Sequence, residues 1–560
     1  MRRLLLATAL ATLSSPVVAQ TAAELLPPRS DPDPAREVAA PEAPGRAGPV
    51  APGQAAGPGF VLRGITVTGA SAIPPAELAP IWADLIGTTV DLPVLEDVAA
   101  RISAAYRGRG YVLSQAALPA QTVDDGKVEI RVVEGFIDTV AVSGGRPNQQ
   151  ALAGRYFAPV PSDRPLRLRT LERAVLLSRD TFGAEVETVL EPSPRTFGAA
   201  DLGVAMTPDP VLGFAAIDNR GSRLYGDWTV SGGGTSYNLL GQNERIDGLV
   251  SFSPEAAKLA FGQLILDMPI PALLGTRLDG ARFELLGEVS RSHPDLERSG
   301  AEGLSAVGRE THLRAGLIVP FTRSRSENLF GRVNLGWRES ENRTRFFGMD
   351  VADSTDRLVV LEGRLTWDIA DRVGGVSLVD GAVRQGLDIG GAEVGGDGGG
   401  HTDFTALHLN LTRLQRLDDA STWSLWTEAV GQYATTVLPD AERFALGTAS
   451  IGRGYAPGNT TGDTGLGARV ELRRQMGESP AFAGAELYAF GDWGRAYDRN
   501  IARDGQRWET LASAGVGARL DVRDWLTLTP EVAWQLKGTP TDTSDGDREV
   551  RFFLGAIARF

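Results

Sequence analysis

The segment VRFFLGAIARF (550–560) decides the fold class of this 560-residue sequence. Arg551 and Arg559 lie on one face of the predicted strand, together with the apolar Phe553 and Ile557. The other face is apolar throughout and comprises Val550, Phe552, Leu554, Ala556, Ala558 and Phe560. Alternation with period two, with one face apolar, predicts a β-strand that has one side in an apolar environment. A strand packed in the sheet of a soluble protein is the alternative.

The N-terminal residues predict export. Arg2 and Arg3 precede an apolar run over residues 4–13, and Val17-Val18-Ala19 supplies the small residues of a cleavage site. This pattern is typical of a Sec signal peptide, which we predict at residues 1–19. No later run of about 18 apolar residues predicts a transmembrane helix. Any membrane-embedded part is therefore expected to be a closed β-barrel, because only helices and barrels satisfy every backbone group in lipid.

The composition excludes several classes of function. The net charge of −14 argues against nucleic-acid binding, which normally needs a basic surface. Cysteine is absent, so neither disulfides nor thiol chemistry are expected. The four histidines show no ligand spacing, and no metal site or cofactor is predicted.

Two α+β units are predicted after a proline-rich segment. Residues 20–59 contain nine prolines and few large apolar residues, which predicts a linker without a core. A β-α-α-β-β order then occurs twice, and the recurrence of a supersecondary unit supports both assignments. The first unit (60–135) comprises Phe60–Thr68, Pro75–Leu85, Leu92–Tyr106, Tyr111–Leu118 and Lys127–Val133. The second unit (136–209) comprises Phe136–Val142, Gln149–Tyr156, Leu168–Phe182, Ala184–Leu190 and Leu202–Thr207.

Arginines are frequent in the second unit. They could contact a partner, but a solvated helix face is the favoured interpretation. The set comprises Arg164, Arg167, Arg169, Arg173 and Arg179.

From residue 210 to residue 560, alternation with period two replaces helical spacing. Val333 and Leu335, for example, alternate with Arg332 and Asn334. Short turns such as 523–525 are expected to alternate with long polar loops such as 494–507 and 537–549. This pattern, sustained over about 350 residues, predicts a transmembrane barrel of roughly sixteen antiparallel strands rather than a soluble sandwich.

Two such units followed by a barrel that ends in Phe resemble the outer-membrane transporters of two-partner secretion systems, members of the outer-membrane-protein assembly superfamily. The resemblance is carried by YRGRGYVLSQAAL (106–118), KVEIRVVEG (127–135), DNRGS (218–222) and LDMPIPALLGTRL (266–278). It implies two periplasmic polypeptide-transport-associated (POTRA) domains, a sixteen-stranded barrel and an address in the cell outer membrane. It also implies that Phe552 and Phe560 belong to a C-terminal assembly signal, which the barrel assembly machinery would read.

The sharpest part of the resemblance lies in a predicted lumenal loop. Counting strands back from residue 560 places 436–465 before strand twelve, as the sixth loop on the long-loop side. This loop carries Arg453-Gly454-Tyr455, which matches the last three positions of a Val-Arg-Gly-Tyr tetrad in the family. Gly452 stands at the Val position.

The family's partner motif F-x-D-x-G is matched by Phe490, Asp492 and Gly494 on predicted strand thirteen. Alternation places Asp492 on the lumenal face, and we predict an Arg453–Asp492 ion pair there. Charge-assisted hydrogen bonds of this kind contribute about 1.5–3 kcal/mol. The alternative is that Arg453 is one of many lumenal arginines without a particular partner.

The leading functional hypothesis is a non-enzymatic transporter, which accepts an unfolded, secreted, β-rich partner protein and passes it through the barrel. An insertase that assembles other barrels is the alternative, and two POTRA units favour the transporter. A passive porin would not need such units. An enzyme is the least favoured class, because the glycines of 390–400 do not lie between a strand and a helix. Residues 542–547 resemble a calcium loop faintly but lack its terminal Glu.

Overall fold

The computed structural model describes residues 59–208, 211–255, 258–273, 275, 278–299, 302–395, 399–477, 483–500, 508–541 and 547–560. The predicted signal peptide, the proline-rich segment up to residue 58, and residues 542–546 of the calcium-like segment lie outside this set. Among the described residues, no helix has the length and apolar character needed to cross a membrane.

The first N-terminal unit is a three-stranded sheet covered by one long helix. Its elements are β1 (Phe60–Val61), β2 (Gly64–Thr68), α1 (Pro75–Leu78), β3 (Thr89–Val90), α2 (Leu92–Gly108), β4 (Gln115–Ala117) and β5 (Lys127–Val133). The sheet order is β2-β5-β4, with β2 parallel to β5 and β4 antiparallel to it. Asp91 caps α2 by accepting the Val94 N–H.

Three predictions for this unit were too long. The helix predicted over Pro75–Leu85 is one α-turn followed by two 3₁₀ turns, because Pro80 cannot donate the hydrogen bond that a helix needs. The strand predicted over Phe60–Thr68 breaks at Leu62, which turns into an apolar cluster with Val90 and Leu95. Most of the strand predicted at Tyr111–Leu118 is a turn, and only Gln115–Ala117 pair with β5.

The second unit repeats this topology with a larger core. Helix α4 (Leu168–Phe182) ends at Gly183, whose φ of 56° is the left-handed conformation that a helix C-terminus favours. Its sheet consists of β6 (Phe136–Ser143), β7 (Ala184–Pro192) and β8 (Ala199–Pro208) in the order β6-β8-β7, with β6 parallel to β8 and β7 antiparallel to it. The two sheets are therefore connected identically. The elements are β6 (Phe136–Ser143), α3 (Pro147–Phe157), α4 (Leu168–Phe182), β7 (Ala184–Pro192) and β8 (Ala199–Pro208).

Sixteen antiparallel strands then close into a barrel, which confirms the predicted fold class. The first half comprises β9 (Val211–Asp218), β10 (Thr229–Tyr237), β11 (Arg245–Phe252), β12 (Leu259–Pro269), β13 (Arg282–Ser292), β14 (Leu304–Arg323), β15 (Glu327–Phe346) and β16 (Met349–Ala370). The second half comprises β17 (Gly375–Leu387), β18 (Thr405–Arg416), β19 (Trp423–Ala434), β22 (Thr464–Gln475), β23 (Gly484–Tyr497), β24 (Trp508–Arg523), β25 (Leu526–Lys537) and β26 (Val550–Arg559). Two short strands, β20 (Phe444–Leu446) and β21 (Thr460–Gly462), pair with each other and are not part of the barrel wall.

The wall alternates as predicted between an apolar outer face and a polar lumen. Val333 and Leu335 are about half exposed on the outside, whereas Asn334 between them is buried and donates to Glu362 at 3.1 Å. Lipid would cover the outer residues, and the lumenal charges bond one another, which is how a barrel wall satisfies both sides.

Strands β14 to β16 are much longer than a membrane span requires. They contain 20 to 22 residues each, whereas about 9–11 residues suffice to cross a bilayer. Phe347 and Gly348 alone connect β15 to β16, with φ values of 47° and 81°. These values fit a two-residue hairpin turn. This connection is therefore short although it lies on the long-loop side.

Candidate functional site: the loop inside the lumen

The sixth connection on the side away from the N-terminal units folds back into the barrel. It runs from residue 435 to residue 463 and includes the β20–β21 hairpin. Its tip, residues 452–455, is buried against β22 to β25, and the Arg453 side chain is 7% exposed. The predicted position of Arg453, Gly454 and Tyr455 in the lumen is the one observed.

The Arg453 guanidinium binds two carboxylates on the barrel wall. Nη1 donates to Glu471 on β22 at 2.9 Å, and Nη2 donates to Glu531 on β25. The guanidinium carbon also lies 4.3 Å from the centre of the Phe490 ring, a cation–π distance. Both carboxylate side chains are fully buried, so each depends on its cationic partners.

Each of these carboxylates has further partners. Glu471 Oε1 accepts from Arg473 at 2.7 Å and from Arg519 at 2.9 Å. Glu531 Oε2 also accepts the Tyr488 hydroxyl at 2.7 Å. Sequence analysis missed Glu471 and Glu531. Their strand positions predict lumenal side chains, but alternation alone does not say which arginine of a distant loop reaches them.

Asp492 holds the backbone of the tip rather than the guanidinium. It accepts the Gly452 N–H at 2.8 Å, the Arg453 N–H at 3.3 Å and the Ser513 hydroxyl at 2.7 Å. The predicted Arg453–Asp492 ion pair is therefore wrong in its chemistry, although the two residues do meet. The reason is geometric: the tip turns at Gly452, so its N–H groups face β23 while the longer arginine side chain passes on to β22 and β25.

Glycine is required where the tip turns. Gly452 has φ of 80°, a conformation that side chains with a Cβ rarely adopt. A Cβ at this position would lie 2.8 Å from the Gly447 backbone nitrogen. The Gly that replaces the family's Val is thus accounted for by the local backbone of this chain.

Gly494 makes room for the loop on the wall. A Cβ there would lie 2.5 Å from Leu446 and 2.8 Å from Ile451, both in the apolar cluster that supports the tip. Phe490, the first position of the same motif, is buried and stacks beside Arg453. In this motif, Phe490 therefore contributes an aromatic face, Asp492 a carboxylate that accepts backbone N–H groups of the tip, and Gly494 the space that the loop needs.

The rest of the tip is anchored to β24 and β25. The Tyr455 hydroxyl donates to the Lys537 carbonyl at 2.8 Å, and Gln535 donates to the Gly454 carbonyl at 2.7 Å. Gly454 N–H donates to the Ser513 hydroxyl at 3.2 Å. The loop is thus held by backbone and side-chain bonds over its whole tip.

A second set of contacts joins α4 to the end of the barrel that faces the N-terminal units. Arg323, at the end of β14, makes two hydrogen bonds of 2.8 Å to Asp180. Arg325 donates to Glu172 at 2.8 Å, and Arg173 donates to the carbonyls of Asp279 and Pro320 at 2.7 and 2.9 Å. The favoured prediction of a solvated arginine face was therefore wrong for Arg173, because this helix face docks on the barrel turns.

The C-terminal residues lie where the barrel closes. Phe552 and Phe560 both have exposed side chains on the outer surface. The Phe560 backbone exchanges two hydrogen bonds with Gly213, at 2.6 and 2.9 Å. The last strand, β26, pairs with the first, β9, and so closes the barrel.

No group of three or more His, Asp or Glu side chains among the described residues has the arrangement of a metal site. The buried charges instead pair with one another.

Two protein-family models match the chain. A POTRA domain of ShlB type matches residues 60–135, and the haemolysin secretion/activation protein family ShlB/FhaC/HecB matches residues 283–520. The chain belongs to this family of two-partner secretion transporters. The transporter is an outer-membrane protein whose POTRA units face the periplasm.

Named relatives of the transporter are also transporters. The heme/hemopexin transporter protein HuxB of Haemophilus influenzae is 21% identical over 506 residues, which cover 86% of this chain and 84% of HuxB. The outer membrane transporter CdiB of Dickeya dadantii is 22% identical over 498 residues, with 86% and 83% covered.

Solved structures share the fold of the transporter. CdiB from Escherichia coli matches with a TM-score of 0.69 at 18% identity and covers 99% of this chain and 95% of its own. BamA from Haemophilus ducreyi, lacking POTRA domains 1–3, matches with a TM-score of 0.53 at 13% identity, with 90% and 100% covered.

Proposed function

We propose that the transporter secretes an unfolded, β-rich partner protein, which its POTRA units receive in the periplasm and its barrel conducts outward. In this proposal residues 60–135 and 136–209 are the two POTRA domains and residues 210–560 the barrel. The proposal includes no catalysed reaction, cofactor or nucleic acid. Relatives with names such as HuxB and CdiB are called transporters, which supports this class of function.

Sheet edges in the two POTRA units support capture of an extended chain. Strands β2 and β4 are the edges of the first sheet, and β6 and β7 are the edges of the second. An exposed edge offers unpaired N–H and C=O groups, to which an unfolded polypeptide adds as a further strand.

The position of the Arg453 tip carries the proposed mechanism. A loop that occupies the lumen and is bonded to β22, β23 and β25 stands in the path of a polypeptide. Secretion therefore requires these bonds to break and the tip to move. Folding of the partner outside the cell would supply the direction.

The test is secretion of the exported partner protein, whose gene we expect beside that of this chain, with Arg453→Ala and Asp492→Ala as variants. We expect both barrels to reach the outer membrane and both to secrete less partner. Arg413→Ala is the control, because this arginine of β18 bonds Asp371 and Ser377, lies on the strand face of Leu409 and Leu411, and does not touch the loop. Secretion at the wild-type level in both loop variants would refute the mechanism.

The insertase alternative predicts a different phenotype. Depletion of an insertase lowers the amounts of many outer-membrane proteins, whereas depletion of a dedicated transporter removes one exported protein only. We also propose that Phe552 and Phe560 direct assembly of this barrel by the barrel assembly machinery. Polar replacement of Phe560 should then lower the amount of folded barrel in the outer membrane.

A further inference from the structure

The seam between β9 and β26 is the shortest ladder of the barrel wall. It contains five residue pairs, from Gly555↔Asp218 to Arg559↔Phe214, followed by the Gly213–Phe560 hydrogen bonds at the chain end, whereas the neighbouring ladder of β9 with β10 contains eight pairs. On its other side, β26 pairs with β25 as far as Val550. Among the described residues, the outer half of β26 therefore has no strand beside it at the seam.

Asn219 continues the seam with its side chain where the ladder stops. Its Nδ2 donates to the Phe552 carbonyl at 3.0 Å, and its Oδ1 accepts the Leu554 N–H at 2.6 Å. The Asn219 backbone N–H donates to the Leu554 carbonyl at 3.3 Å. One side chain thus satisfies β26 backbone groups that a neighbouring strand would otherwise bond.

Arg220 contacts the same part of β26 from the lumenal side. Its guanidinium lies 4.5 Å from the centre of the Phe553 ring, between the two β26 residues that Asn219 contacts. Arg220 Nη2 also lies 2.9 Å from Glu531 Oε1. Glu531 is the carboxylate whose other oxygen binds Arg453 and Tyr488. A single buried carboxylate therefore contacts both the seam and the tip of the lumenal loop.

We propose that Asn219, Arg220 and Glu531 form a latch that keeps the outer half of the seam shut, and that the seated loop strengthens this latch. The physical link is water. While the tip covers Glu531, the Arg220–Glu531 pair lies in a medium of low effective dielectric constant. When the tip leaves, water enters, and an increase in effective dielectric constant from about 20 to about 80 weakens the attraction about fourfold.

Removal of Arg453 has a second, opposite effect, because Arg220 then no longer shares the carboxylate with another cation. This effect is limited, since Tyr488 still bonds the same oxygen and water solvates the vacated side. We therefore expect the weakening of the Arg220–Glu531 attraction by water to exceed the gain from losing the competing Arg453 cation. The barrel wall becomes easiest to open at the seam when the lumen is unobstructed, which deepens the loop movement proposed above.

Amide hydrogen exchange on the purified full chain in detergent tests the latch without an exported partner. Arg220→Ala should accelerate exchange in 211–218 and 551–559 at least tenfold, while exchange in β15 stays unchanged. Arg453→Ala should accelerate the same seam amides at least threefold. Arg223→Ala is the matched control, because Arg223 bonds Glu549 across the same seam in a pair that is nearly half exposed.

Three results would overturn the proposal. Seam protection in Arg220→Ala equal to that of the control would exclude the latch, and accelerated exchange in the loop of Arg453→Ala without change at the seam would exclude the link. If Arg220→Ala folds poorly, a disulfide between Ala216→Cys and Ile557→Cys can hold the seam, since these residues are ladder partners and the chain has no other cysteine. The disulfide must then restore the protection. A secretion defect in Arg453→Ala without any change in seam exchange would also contradict the latch, while the proposed transport function would stand.

Discussion

Asp492 accepts the backbone N–H of Arg453 at 3.3 Å, while the guanidinium of the same residue binds Glu471 and Glu531 on other strands. The aspartate therefore fixes the course of the tip, and the arginine fixes its position across the lumen. These are separate contributions, and different substitutions should distinguish them.

Asp492→Asn should impair partner secretion less than Asp492→Ala. The amide oxygen of Asn still accepts one of the backbone N–H groups of the tip, whereas Ala leaves the Gly452 and Arg453 donors unpaired, at about 1–3 kcal/mol for each buried group. Secretion and the unfolding midpoint of each variant check this order. Equal loss in both variants would mean that the negative charge, rather than the acceptor geometry, holds the tip.

Gly494→Ala should destabilise the seated loop, because the added Cβ meets Leu446 and Ile451. Overpacking of this kind costs about 1–3 kcal/mol. Gly491→Ala in the same motif is the control, since a Cβ there has no atom within 4 Å. Limited proteolysis of the loop in intact outer membranes compares the two variants. Equal resistance to the protease would contradict the role of Gly494 in making space for the loop.

The Asp180–Arg323 pair predicts rescue by charge exchange. Both side chains are nearly buried, at 12% and 10% exposure, so reversing either charge alone should cost about 3–5 kcal/mol. The double variant Asp180→Arg with Arg323→Asp should recover most of the lost stability. The exposed Arg343–Asp353 pair, exchanged in the same way, should have little effect in either form. Denaturant unfolding of all forms gives the coupling energy, and a value near zero would show that the docking of α4 does not depend on this pair.

The first POTRA unit should lose stability in acid through Glu134. Burial opposes ionisation of this carboxyl, but hydrogen bonds from Ser71, Ala72 and Tyr106 outweigh it and hold the pKa of Glu134 below its ordinary 4.5. A lowered folded-state pKa stabilises the fold above the unfolded value, and this contribution is lost as the pH falls through the folded pKa.

Glu134→Gln should therefore remove part of the pH dependence of amide exchange in β5, measured between about pH 6 and about pH 3. Glu96→Gln, on the exposed face of α2, is the control. An unchanged pH profile in Glu134→Gln would assign the acid sensitivity to other groups.

Regular elements were predictable from the sequence because their signals are local. Helix Leu168–Phe182 and strand Lys127–Val133 were predicted at their observed bounds, and alternation placed Asp492 in the lumen. Contacts between distant segments were not predictable in this way. The docking of Arg173 on barrel turns and the reach of Arg453 to Glu531 depend on where a helix and a long loop come to rest, and periodicity carries no such information. The family resemblance predicted that the Arg453 loop meets the strand of Asp492, but it did not predict which atoms form the hydrogen bonds.

The unequal strand lengths described above shape the exit of the barrel. β15 and β16 are the seventh and eighth of sixteen strands and stand across the barrel from β9 and β26. At about 3.3 Å per residue, β16 is longer than β9 by about 46 Å of strand. The rim formed by the strands is therefore slanted: it extends far from the membrane at β15 and β16 and is low at the closing strands β9 and β26. A polypeptide that leaves the lumen would be flanked by the long β15–β16 hairpin on one side and would meet no comparable wall on the side of β9 and β26.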